Sequence, residues 1–211
     1  MTTFDSSKPD LSKLDWSKGN GLLPAIVQHW QNGGILMLGY MNSEALAQTQ
    51  QSGKVTFYSR SKQRLWVKGV TSGHFLQLKS LRADCDSDTL LIAAEPLGPT
   101  CHLGTQSCFG DGSAPPLAFL ADLNALIAQR ERERPAGSYT TKLFDDGVRR
   151  IAQKVGEEGV ETVLAAVAQD DAALRSESAD LIFHLLVLLR ARGVDFADVV
   201  AELRQRHAAK A

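Results

Sequence analysis

The sequence predicts two domains, a strand-rich α+β domain followed by an all-α helical one. Three observations carry this expectation. Up to about residue 112, short runs rich in Val, Phe, Tyr, Trp and Leu are punctuated by Gly and Ser, the pattern of successive hairpins. "DGSAPP" then breaks the chain, with Gly112, Ser113, Pro115 and Pro116 as a short linker. Beyond it almost every segment has helical period. The chain has 211 residues, so each part holds on the order of 100, an ordinary domain size. The expected boundaries are 1–112 and 117–211.

Taken along the chain, "NGGILMLGYM" opens with a turn signal and continues apolar. "NSEALAQTQQSG" reads as a helix that Asn42 or Ser43 can cap and Gly53 can end. "GKVTFYSR" and "RLWVKGVTSGHFLQLKSL" read as hairpin strands. Residues 84–92 are read as extended. In the second half, four helices are expected, in "LAFLADLNALIAQRERER", "FDDGVRRIAQKVGEEGVETVLAAVAQD", "ESADLIFHLLVLLRARG" and "DFADVVAELRQRH", with Asp195 capping the last.

Acids and bases nearly balance, giving a net charge of −1. No global field then recruits nucleic acid or an acidic membrane, and neither is an expected partner. The start "MTTFDSSKPDLSKLDW" carries acids and no apolar stretch, unlike a signal peptide. No apolar run approaches the ~18 residues of a membrane span. A cytoplasmic address is the expectation.

Cysteine usage is the sharpest local signal. The chain has three, Cys85, Cys101 and Cys108, all in one short segment beside acids and a histidine. An odd number in a reducing compartment argues against a disulfide framework. In "ADCDSDTLL", Asp84, Asp86 and Asp88 bracket Cys85, and like charges this close call for a cation. On an extended segment the aspartates would share one face and Cys85 the other. Hard carboxylate oxygens suit Mg²⁺ and a soft thiolate suits Zn²⁺. Cys101 and Cys108 in "CHLGTQSC" would make three thiolates, and three ligands with an open fourth position is the arrangement of a catalytic zinc. His102 is then a fourth ligand, a proton carrier, or a histidine merely oriented by its loop. Rival readings fit less well. An EF-hand calcium loop would need Gly where Thr89 stands. A zinc base deaminase would need H-x-E and P-C-x-x-C, both missing from the sequence. A merely solvated acidic face would not explain the cysteines.

These motifs, with "LLPAIVQHWQNGGILMLGYMNSEAL" and "VTFYSRSKQRLWVKGVTSGHF", closely resemble phosphoribosyl-AMP cyclohydrolase of histidine biosynthesis over residues 14–111. The resemblance implies an intertwined homodimer, with zinc held by Cys85, Cys101 and Cys108 drawn from both chains, and magnesium by Asp84, Asp86 and Asp88. It implies hydrolytic opening of an N1-ribosylated adenine, a zinc-bound hydroxide attacking C6 and the N1–C6 bond breaking. His102 is the expected proton carrier, since a near-neutral pKa suits both directions. Arg60, Arg64 and Lys68 supply cations for the substrate phosphate, and Thr71, Ser72 and Gly73 supply hydroxyls and backbone amides. "KGVTSG" departs from the family pattern by carrying Val70 where a Glu is expected.

In the helical half, "KVGEEGVETVLAA" puts Glu157, Glu158, Glu161 and Lys154 on one arc, at ~100° per residue. Gly156, Gly159 and several valines fill the other side, which predicts close packing of another backbone. "ESADLIFHLL" adds Glu177 and Asp180 at i, i+3, with His184 on the same side, more plausibly a packed core histidine than a ligand. A surface salt-bridge stripe would want Lys or Arg four residues after each acid, and none is there. A di-iron bundle would want Glu-x-x-His on two helices, which "EGVE" and "ESAD" do not provide.

This E-E-x-x-E and E-x-x-D pattern resembles the all-α, MazG-like nucleotide pyrophosphohydrolases. With "SYTTKLFDDGVRRIAQKVGEEGVETVLAA" it is similar, over residues 117–207, to phosphoribosyl-ATP pyrophosphatase. That resemblance implies an ATP-derived substrate and Mg²⁺ held by Glu157, Glu158, Glu161, Glu177 and Asp180, with Lys142 and Lys154 neutralising phosphate charge. Its product would be the substrate of the first domain. The different-class alternative is a regulatory nucleotide-binding protein with degenerate sites, against which both intact ligand sets count.

Overall fold

The protein, seen here as a computed structural model, is described over residues 11–110 and 114–208. The expectations for the N-terminal ten residues, and for Gly112 and Ser113 as linker, lie outside the described residues. Two compact units divide between Ala121 and Asp122.

The first unit is built on a four-stranded sheet in the order β2–β1–β6–β5, where β1 is Leu23–His29, β2 is Ile35–Met41, β5 is Leu76–Ala83 and β6 is Leu90–Pro96. β1 runs parallel to β6, and the outer pairs are antiparallel hairpins. A separate hairpin pairs β3 (Thr56–Ser59) with β4 (Arg64–Val67). Leu23, Ala25 and Val27 alternate into the core with Leu90, Ile92 and Ala94 of β6, and all six are fully buried. Helix α1, Ser43–Ser52, starts where the Asn42 side chain accepts the Ala45 N–H and stops at Gly53 in the left-handed region, as its sequence predicts. The buried Thr49 hydroxyl of α1 accepts the Thr56 N–H, tying the helix to β3.

One expectation for this unit is corrected. Residues 84–89 are not extended but form the turn between β5 and β6, with Ser87 at φ 62. The Asp84 carboxylate accepts the N–H groups of Asp88 and Thr89 and so closes that turn. The aspartates converge by turn geometry, not by strand alternation.

The second unit contains five helices among its described residues: α2 (Phe119–Glu133, which begins at the unit boundary), α3 (Tyr139–Asp146), α4 (Val148–Ala168), α5 (Asp171–Ala191) and α6 (Phe196–Ala208). The predicted single helix from Phe144 is split at Gly147, whose φ of 85 an α-helix cannot hold. The Asp170 side chain caps α5 six residues earlier than the acidic motif alone indicated. Asp195 accepts the Ala197 N–H at the start of α6, as expected. Gln169 and Asp170 alone join α4 to α5, so the two helices double back and pack along each other. Ile127, Leu143, Ile151, Leu186 and Val187 form the core they share with α2 and α3. The predicted close packing at Gly156 and Gly159 is not found within the chain: added Cβ atoms there would meet nothing within 4 Å, and Val160, Val163 and Val167 are exposed.

Candidate active sites

In the first unit, the cysteine loop is pinned to the sheet from far along the chain. The Ser107 hydroxyl donates to the Ile35 carbonyl at 2.7 Å, and the Cys108 N–H donates to the Leu36 carbonyl at 2.8 Å. The Cys101 N–H closes a turn onto the Thr105 carbonyl. The loop borders a cavity of about 490 Å³, whose lining includes Cys101, His102 and Cys108 together with Lys68, Thr71 and Ser72.

The two thiols are close enough to interact, and their environments differ. The Leu103 N–H and the Thr105 hydroxyl hold the Cys101 thiol below its usual value. Burial pushes the Cys108 thiol up, helped by neighbouring Cys101. Cys101 is already biased toward thiolate, as a soft metal requires, and Cys108 beside it offers a second sulfur that would lose its proton on binding zinc. His102 is exposed, with Nδ1 3.9 Å from the Cys101 sulfur. Cys85 lies outside the cavity lining, and among the described residues no group of three convergent ligands includes a cysteine.

Of the expected phosphate binders, Lys68, Thr71 and Ser72 line the cavity, whereas Arg60, Arg64 and Gly73 do not. Arg60 lies instead over the Tyr40 ring, 3.8 Å from its centroid. Val70 lines the cavity with 69% of its surface exposed. Two polar residues of the lining carry no motif in the sequence, His74 and Thr100. His74 packs so tightly on Gly98 that a Cβ there would stand 2.6 Å from the ring. Thr100 is buried and its hydroxyl has no partner among the described residues. Neither has a local sequence signal, since each is brought in by the approach of distant loops.

Asp84, Asp86 and Asp88 offer carboxylate oxygens within 4.8 Å of one another, which fits a hard divalent cation. Burial opposes ionisation of Asp84, yet the Thr89 and Asp88 N–H groups hold its carboxyl below the usual range. A cation of the chain's own also stands here: the Lys18 ammonium lies 2.6 Å from Asp86 and 3.1 Å from Asp88.

In the second unit, Glu158, Glu161 and Glu177 converge within 4.8 Å from α4 and α5. Glu158 is 5% exposed and Glu177 half-buried. Three carboxylates this close resist ionisation unless cations offset them. Lys154 partly does so, its ammonium 2.6 Å from Glu158 and 2.9 Å from Glu157. That hydrogen bond holds the Glu158 carboxyl below the usual range. Partial burial and the adjoining Glu158 carboxylate push Glu161 up. Glu157 stands apart from the trio, bonded to Lys154 and Gln153. Asp180 is exposed and outside it. The salt-bridge stripe is therefore partly real: its lysine precedes Glu157 and Glu158 by three and four residues, rather than following them.

His184 is buried, as expected for a core histidine, but it is also connected. Its Nδ1 donates to the Asp180 carbonyl at 2.9 Å and stands 3.6 Å from Glu158, while Nε2 meets the Tyr139 hydroxyl at 3.0 Å. A carbonyl only accepts, so Nδ1 carries the proton. Tyr139 and His184 thereby support the wall of carboxylates from α3.

The comparisons with known proteins agree with this division. A family model for phosphoribosyl-AMP cyclohydrolase matches residues 37–110, and one for phosphoribosyl-ATP pyrophosphohydrolase matches residues 120–207. The histidine biosynthesis bifunctional protein HisIE of Xanthomonas axonopodis pv. citri is 64% identical over 197 residues, covering 93% of this chain and 94% of that protein. Its counterpart in Xylella fastidiosa (strain Temecula1) is 64% identical over 205 residues, 97% of each. That of Escherichia coli K12 is 58% identical over 195 residues, 92% of this chain and 96% of the relative.

Proposed function

The chain belongs to the bifunctional histidine-biosynthesis proteins that join a phosphoribosyl-AMP cyclohydrolase to a phosphoribosyl-ATP pyrophosphohydrolase, and we propose that each unit carries one of these hydrolyses on its own metal-binding residues. The observation that carries this reading is that two ligand sets of different chemistry, thiols with aspartates and a trio of glutamates, lie in separate compact units.

The second unit acts first, releasing pyrophosphate from phosphoribosyl-ATP. Glu158, Glu161 and Glu177, with Glu157 and Asp180 at the margin, would hold Mg²⁺, which when bound clamps phosphate oxygens and activates water. Lys154 keeps Glu158 ionised and offers positive charge to the phosphoryl oxygens. Tyr139 and the Asp180 carbonyl hold the His184 ring by hydrogen bonds, and the ring packs against Glu158 at 3.6 Å.

The first unit then opens the six-membered ring of phosphoribosyl-AMP. Cys101 and Cys108, completed by Cys85 of a second copy, would hold Zn²⁺, which when bound supplies a water ionised near neutral pH. Asp84, Asp86 and Asp88 would hold Mg²⁺. His102, beside Cys101 at the cavity mouth, moves protons between the attacking water and the departing N1. Lys68, Thr71 and Ser72 bind the substrate phosphate, with Arg60, Arg64 and Gly73 reaching it only if their loops move. Water adds at C6, the N1–C6 bond breaks, and N1 takes the proton. The separation of Cys85 from the other thiols supports a homodimer. No described helix is long and apolar enough to cross a membrane, and we assign the enzyme to the cytoplasm.

The test is turnover of phosphoribosyl-ATP by the purified chain, following pyrophosphate release and ring opening separately. Release of neither product would overturn the reading.

A further inference from the structure

A second cavity, of about 540 Å³, lies at the N-terminus of α3 and is lined by Arg134, Ser138, Tyr139, Thr141, Lys142 and Asp145, among others. It is distinct from the glutamate trio yet joined to it, because Tyr139 also bonds His184, which stands against Glu158. Its size suits a small ligand.

Its chemistry is that of an anion site. The first-turn N–H groups of a helix have no acceptor within the helix, and they favour negative charge. Here the Ser138 hydroxyl accepts only the Thr141 N–H. Arg134 spends two donors, one on the Asp145 carboxylate at 2.6 Å and one on the Glu131 carbonyl at 2.7 Å. A guanidinium has five, and the others have no hydrogen-bond partner among the described residues. Lys142 is exposed and has no ion-pair partner among the described residues. Two cations against Asp145 leave the lining at a formal +1. Independently of these charges, Thr141 is 8% exposed and its hydroxyl has no partner among the described residues. A buried hydroxyl left unpaired is costly, and an incoming oxyanion would satisfy it.

We propose that this cavity is a phosphomonoester subsite that receives the 5′-phosphate of the ribose on N1 of phosphoribosyl-ATP. This rests on the pyrophosphohydrolase reading of the second unit. If the triphosphate is drawn by its metal to Glu158, Glu161 and Glu177, the 5′-phosphate is the one anionic group of the substrate left to be held. It is also part of what distinguishes that substrate from ATP. The subsite thus sets specificity, and Lys142 serves it rather than the scissile phosphoryl group.

The experiment compares kcat/KM for phosphoribosyl-ATP with that for the same nucleotide lacking the 5′-phosphate, in wild type and Lys142→Gln. Loss of a charged hydrogen bond should lower the preference for the phosphorylated substrate about tenfold. Thr141→Val should raise KM for phosphoribosyl-ATP while raising Tm, because it removes the unpaired hydroxyl. An unaltered preference in Lys142→Gln, with both substrates slowed alike, would assign Lys142 to the triphosphate and overturn the proposal. Calorimetric titration with ribose 5-phosphate separates the two readings. Binding that is lost in Lys142→Gln, in a chain that releases no pyrophosphate, would support the subsite while removing the pyrophosphohydrolase assignment. No binding of ribose 5-phosphate to an active wild-type enzyme would count against the subsite alone.

Discussion

The Lys18 ammonium stands 2.6 Å from an Asp86 carboxylate oxygen, although 68 residues separate them in the chain. Asp86 and Asp88 hold that lysine charged well above its ordinary range. It therefore competes with any divalent ion for the aspartate oxygens. Exposed pairs of this kind are weak and are screened by salt. Lys18→Met should tighten magnesium binding at Asp84, Asp86 and Asp88 by about two- to fivefold, read from the magnesium dependence of ring opening. Weaker magnesium binding would mean that Lys18 orders the turn rather than competing there.

Cys101 and Cys108 should differ in reactivity before metal is bound. The Cys101 thiol is held down by the Leu103 N–H, and the Cys108 thiol is raised by burial. In metal-free protein, iodoacetamide should label Cys101 at lower pH than Cys108, as resolved by peptide mass spectrometry. Cys101→Ala should lose both zinc and ring opening while pyrophosphate release survives.

Glu158→Gln should cut pyrophosphate release by more than about 100-fold and leave phosphoribosyl-AMP opening intact. The two activities are measured on the same preparation. Loss of both, in protein that remains folded by circular dichroism, would contradict the assignment of one reaction to each unit.

The glutamate trio also sets a pH dependence. Glu161 has a raised pKa, so as pH falls it takes up a proton above the usual glutamate range. A proton and a cation compete for the same oxygens, so magnesium affinity should drop there first. Glu158 has a depressed pKa, and its pairing with Lys154 stabilises the fold above its unfolded value. That contribution is lost only as pH falls through the lower folded value. Acid titration should therefore release metal, seen by calorimetry, at a higher pH than that at which the Tm of the metal-free protein falls.

Mixing inactive Cys85→Ser and Cys108→Ser chains should restore ring opening. In a mixed dimer one composite zinc site lacks both mutated ligands and the other is complete. Random pairing makes about half the dimers mixed, so ~25% recovery is the ceiling under a symmetric-dimer model. Absence of recovery, with labelled subunits shown to exchange, would put all three cysteines in one chain.

Much of each site is legible along the chain because it depends on local geometry. Glu158 and Glu161 share a helical face by spacing alone, and Asn42, Gly53 and Asp195 announce helix ends by their own backbone and side-chain chemistry. Other features are decided by contacts between distant residues, which no local spacing encodes. Glu177 joins the trio because α4 and α5 double back, while Glu157, on the same predicted arc, turns to Lys154 instead. Asp84, Asp86 and Asp88 converge because a hairpin turn closes on Asp84, where alternation along a strand was expected. Ser107 reaches Ile35 across the fold and carries Cys101 and Cys108 to the cavity, leaving Cys85 on its own turn. The sequence determines which residue types share a face of one element, since the backbone period is fixed. The tertiary structure decides which faces meet, since that depends on how the whole core packs.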